Sequence, residues 1–232
     1  MGHRGASAAA LEVVAQPEAD ELVQTIDEAV AWLASRRSED GHWVFELEAD
    51  ATIPAEYILL NHYLDDVNDE VERKLAAYLR RTQGAHGGWP LYYDGDVDLS
   101  ATVKAYFALK LVGDDPDAPH MARARAVILE RGGAARANVF TRIALALFGQ
   151  VPWRAVPLMR VEAMLLPRWA PFHVDKVSYW SRAVMVPLFV LAALKPQARN
   201  PRGVDIQELF LVPPEEQRDY LHNPTGHWLG DI

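Results

Sequence analysis

Two stretches of this chain match at a constant offset of 46 residues, and no other feature limits the possible folds as much. Leu33, Arg37, Gly41 and Trp43 stand at the same spacing as Leu79, Gln83, Gly87 and Trp89. The register persists beyond them, carrying Asp50 onto Asp96 and Ala55 onto Ala101, each ahead of an apolar stripe. A third, degraded copy without its Trp spans Met121 to Gly149. A unit of this length holds one supersecondary element. It cannot bury its own apolar face and is stabilised by stacking against its neighbours.

The stripes carry the period of a helix. Leu22, Ile26, Val30 and Leu33 recur at three- and four-residue spacing, predicting a helix from Asp20 to about Arg37. Similar stripes run over Ile53–Leu64, Val71–Arg81, Leu99–Val112, Met121–Arg131, Val139–Phe148 and Val177–Leu194. Gly41, Gly87, Gly113, Gly132 and Gly149 punctuate them where a left-handed residue can end a helix. Nothing alternates with period two. The expected class is therefore all-α, with α/α-hairpin repeats packing into a curved or closed array. Residues 1–18, small and polar and ending near Pro17, are expected to be a disordered lead-in, and 19–232 the folded domain.

Each piece of the repeat turn has a physical task. Gly87 lets the chain reverse sharply. The Gln83 amide, in the last turn of its helix, can bond backbone groups left open at helix ends. The indole of Trp89 is large enough to cover that bond and wedge between hairpins. The expected role of Gln83, Gly87, Trp89, Gly41 and Trp43 is architectural.

Composition narrows the chemistry. With 23 Lys and Arg against 32 Asp and Glu, the net charge is −9, which argues against a nucleic-acid partner. The absence of Cys removes disulfides, thiolate metal sites and Cys nucleophiles. The eight His are scattered. His222 and His227 have Pro224 and Gly226 between them and share no helix face, so neither zinc nor any other cofactor is expected. Asp65-Asp66-Val67-Asn68-Asp69 has the look of a DDxxD motif that holds Mg²⁺ against a diphosphate, as in class I isoprenoid synthases. It lacks a second acidic motif, because Asp114-Asp115-Pro116-Asp117 is broken by Pro and reads as a turn. The longest apolar run, Ala183–Leu194, has 12 residues, against about 18 or more needed to span a bilayer.

Gln83-x3-Gly87-x-Trp89 resembles the QW motif of the squalene–hopene and oxidosqualene cyclases. The segments at 166–173 (Leu-Pro-Arg-Trp-Ala-Pro-Phe-His), 175–182 (Asp-Lys-Val-Ser-Tyr-Trp-Ser-Arg) and 198–203 (Ala-Arg-Asn-Pro-Arg-Gly) are closer still to bacterial squalene–hopene cyclase. The resemblance runs from about Asp20 to Ile232. It implies part of an α/α barrel (toroid), one wall of an apolar cavity for squalene or a related linear triterpene, and a Trp180 that contacts the substrate. In that family the central Asp of a DxDD motif protonates a terminal double bond, and aromatic faces stabilise the ring-closing carbocations.

The nearest stretch here, Asp96-Val97-Asp98-Leu99, has Leu at the fourth position and falls in the wrong part of the polypeptide, so Asp96 or Asp98 is expected to cap the helix that follows. The chain covers about the first third of such a cyclase and is expected to be truncated at its C-terminal end, inactive alone, and completed by a missing C-terminal half or a separate subunit carrying DxDD. The family further implies a cytoplasmic protein, peripheral on the inner membrane. One rival is a non-catalytic α/α module that binds an apolar ligand or a partner. The other is the Mg²⁺-dependent synthase using Asp65, Asp66 and Asp69.

Overall fold

The computed structural model describes residues 19–45, 48–157, 159–171 and 173–221. The lead-in at 1–18 and the pair His222 and His227 lie outside them. Among the described residues every regular element is helical. The chain divides into two compact units, residues 1–48 and 49–232.

The first unit contains α1 (Ala19–Ser35) and the turn after it. Its apolar positions Leu22, Ile26, Val30 and Leu33 are exposed. Trp32 stacks on Phe45 with ring centroids 5.8 Å apart, and Arg36 lies over the same indole.

The second unit is built around one helix. α2 (Thr52–Leu64) begins where Asp50 accepts a hydrogen bond from the Thr52 N–H at 2.6 Å. α3 (Asp69–Thr82) is capped by Asn68, whose side chain accepts from Glu70 and Val71. Its acidic first turn (Asp69, Glu70, Glu72) and basic last turn (Arg80, Arg81) both complement the helix dipole. α4 (Leu99–Val112) is buried from Ser100 through Leu109, on every face. It packs against α2, α3 and α5 (Pro119–Glu130), and against α6 (Val139–Leu147). A helix apolar all round belongs in the middle of a core, and this one sits there. α7 (Tyr179–Leu194) is different: Phe189 is its one buried residue.

Residues 195–221 return across the core without forming a long helix. The Ala198 N–H bonds the Leu147 carbonyl at 2.7 Å, and Arg202 reaches the Leu111 carbonyl at 2.7 Å. The Gln150 amide accepts from the Ile206 N–H at 2.9 Å and donates to the Val204 carbonyl. Glu208 then accepts from the Tyr106 hydroxyl at 2.8 Å and the Lys110 ammonium at 2.6 Å, both on α4.

Two carboxyls in this unit sit below their usual range. Burial alone would raise Glu208, but Lys110, a backbone N–H and Tyr106 outweigh it. Burial would likewise raise Asp114, and its bonds to Arg80 and His120 outweigh that. A depressed folded-state pKa contributes stability above the unfolded value, about 4, that is lost as pH falls through the folded one. The melting midpoint is therefore expected to hold from pH 7 to 5 and to drop below about pH 4. Glu208→Gln should melt lower at pH 7 and lose less on acidification. Midpoints by circular dichroism at each pH check both.

Candidate functional site

The repeat turns show how spacing becomes geometry. In the second unit the Trp89 indole N–H donates to the Leu79 carbonyl at 2.9 Å, and the ring is fully buried. In the first unit the Trp43 indole N–H donates to the Leu33 carbonyl at 2.7 Å, the same pair displaced by one repeat. The turns also match in backbone: Gly41 N–H to Ser38 O and Gly87 N–H to Gly84 O are both 2.9 Å. Gly41 and Gly87 take φ +94° and +90°, where other residues are strained.

Gln83 differs from the expectation in detail. It is the residue just past α3, and its amide donates to the Gly87 carbonyl at 2.7 Å and the His120 carbonyl at 2.8 Å, while its oxygen accepts from Arg123. It thus ties its own turn to the first turn of α5. At the matching position Arg37 donates to the Gly41 carbonyl at 2.9 Å and lies over the Trp43 ring, which is 48% exposed.

The acidic motifs hold backbone and cations of the chain itself. Asp98 caps α4 through the Ala101 N–H at 2.7 Å. Asp65 ends α2 in the left-handed region and pairs with Arg199, and Asn68 caps α3, so the DDxxD-like run is a helix-to-helix turn. Asp114 binds Arg80 and His120. Among the described residues no group of three His, Cys, Asp or Glu is placed to hold a metal ion.

The remaining candidate, Trp180, lies apart from these turns, in a segment with sparse packing. Short turns at Val161–Leu165 and Val174–Lys176 lead into α7, which Ser178 caps through the Ser181 N–H. Tyr179 and Trp180 in its first turn are 80% and 79% exposed, and Leu165 and Trp169 in the segment before it are also exposed. Asp175 stands between cations, 3.1 Å from Arg168 Nε and 3.6 Å from Arg182 Nη1. Among the described residues no helix is long and apolar enough to cross a membrane.

The profile of the squalene–hopene cyclase N-terminal domain matches residues 26–231. The chain belongs to that family. It is 63% identical to a squalene–hopene cyclase of Zymomonas mobilis over 196 residues, 84% of this chain and 30% of that protein. It is 61% identical to one from Bradyrhizobium diazoefficiens over 85% of this chain and 30% of the relative. A Schizosaccharomyces japonicus squalene–hopene cyclase is 54% identical over 92% and 33%. The chain thus spans about a third of the length of these curated relatives.

Within the family domain the structure adds charged pairs that spacing alone does not reveal. Lys104, on the buried face of α4, reaches Glu56 of α2 at 2.6 Å. His62 of α2 and Glu72 of α3 meet at 2.6 Å, both buried, with Arg202 at 4.0 Å. The available signal was a charged residue inside an apolar stripe, which needs a partner when buried. Which partner it finds depends on how the hairpins meet.

Proposed function

We propose that this chain is the amino-terminal part of a cyclase that converts squalene to hopene or hopanol by proton-initiated carbocation cyclisation, an isomerase chemistry of triterpenoid synthesis. The observation that carries this is the 63% identity to a squalene–hopene cyclase across 84% of the chain. In this assignment the hairpins form part of an α/α barrel that closes on polypeptide beyond this third. Tyr179 and Trp180 then face an apolar cavity, where the Trp180 ring stabilises positive charge that water would quench. The proton comes from a DxDD acid on the remaining polypeptide, whether continuous with this chain or a separate subunit. The assembled enzyme attaches peripherally to the cytoplasmic face of the inner membrane.

The test is reconstitution. The chain is co-expressed with the carboxy-terminal two-thirds of a cyclase relative and supplied with squalene, and products are read by gas chromatography and mass spectrometry. Hopene or hopanol is expected from the pair and none from the chain alone. Trp180→Ala is expected to cut turnover by about tenfold or more, the loss of a cation–π contact in a dry site. Turnover by the chain alone, or an unaffected Trp180→Ala pair, would overturn the assignment.

A further inference from the structure

We infer that Asp175 is a positioning residue for Trp180, which it orients by clamping the first turn of α7 from the opposite side. The inference rests on the role given to Trp180 above and extends it to a residue that does not itself meet the hydrocarbon. Successive helical residues are about 100° apart, so Trp180 and Arg182 point in roughly opposite directions. Arg182 turns toward Asp175 and is partly buried, whereas Trp180 is exposed. Holding the guanidinium on one side therefore fixes where the indole points on the other.

The first turn leaves Tyr179 and Trp180 exposed. α7 packs chiefly against Val161–Leu165, and its one buried side chain, Phe189, lies in its second half. Pro187 separates the halves, because it has no N–H to close the helical bond to Ala183. The amino-terminal half carries its Ser178 cap, the Ser178–Ser181 hydroxyl bond at 2.9 Å and the ion pair to Asp175. Asp175 is itself held in place. Its N–H donates to His173 Nδ1 at 3.0 Å, and its carboxylate is 3.1 Å from Arg168. The neighbouring Lys176 ammonium bonds the Ala170 carbonyl at 2.8 Å, which closes the loop beneath the clamp. One carboxylate joins three parts of the segment here: the loop before the turn, the turn and the helix.

The test uses the 232-residue chain and squalene dispersed in non-ionic detergent. The emission of the chain minus that of Trp180→Phe isolates the Trp180 signal. Asp175→Asn keeps the shape and removes the charge. It is expected to raise the squalene concentration for half-maximal change about tenfold, while shifting the melting midpoint by no more than about 3 °C. Arg182→Met should do the same, and Asp175→Glu should recover most of the wild-type response. A titration of Asp175→Asn that overlays the wild type overturns the inference. If the wild-type chain gives no Trp180-dependent change, the isolated chain does not hold squalene, the co-expressed pair decides the role of Trp180, and amide exchange decides the clamp. Exchange over Tyr179–Val186 should then quicken about tenfold in Asp175→Asn with Leu188–Leu194 unchanged. Equal exchange in both halves overturns it.

Discussion

Trp89→Ala is expected to destabilise the second unit by about 4 kcal/mol, the range for removing a buried Trp from a close-packed core. In a unit of this size that lowers the melting midpoint by about 10 °C or more. Two losses combine. The ring is fully buried, so the cavity left behind cannot be filled by solvent contact alone. The Leu79 carbonyl loses the indole N–H at 2.9 Å and keeps the longer bond from the Thr82 hydroxyl at 3.4 Å. Trp43→Ala provides the internal comparison: the same bond is lost, but from a ring that is half exposed. Its cost should be about 1 kcal/mol. Thermal melts of both variants separate burial from the bond. Equal shifts would mean that the hydrogen bond, and not the packing of the indole, holds the repeat together.

Gly133→Ala is expected to cost about 3 kcal/mol, from backbone strain and a clash acting together. Gly133 has φ +79° and ψ 173°, a region that is almost exclusively glycine's. A methyl group there would lie 2.9 Å from the Leu209 carbonyl oxygen and 3.3 Å from the Leu211 nitrogen, which are backbone atoms that cannot swing aside. Relief requires moving the return segment, and Glu208 with it, away from Tyr106 and Lys110. Gly113→Ala separates the two causes. Its φ is +114° with nothing within 4 Å of the added carbon, so strain acts alone and the loss should be smaller. Denaturant midpoints for the pair measure the difference. A Gly133→Ala chain as stable as Gly113→Ala would show that the return segment yields freely.

The helices and their turns were legible because each is decided locally. The apolar stripe at Leu99–Val112 coincides with α4, and Asp98 caps it as a residue of its type should. Gly87 and Trp89 take the places that their spacing predicts, since a reversal needs glycine and a six-residue reach needs a large ring. Gln83 was legible in kind and not in target. Its bond to the His120 carbonyl depends on where α5 begins, 37 residues later. The return segment was not legible at all. Residues 195–221 have no period; Ile206 and Leu209 enter the core singly, and Arg202, Ile206 and Glu208 make single bonds to distant parts of the chain. The surroundings of Trp180 were legible only through resemblance. An indole on an apolar helix looks the same in sequence whether it fills a core or faces outward, and only the structure gives its exposure. Asp175 passed unnoticed because a carboxylate shared between Arg168 and Arg182 leaves no spacing signature.

The bond from Tyr106 to Glu208 spans 102 residues of chain. On a ribosome adding 5–20 residues each second, α4 leaves the exit tunnel about 5–20 s before the segment that closes over it. For that interval a helix destined to be covered on every side has one flank open to solvent. Slow codons placed between Tyr106 and Glu208 would lengthen the exposure and lower the yield of soluble protein.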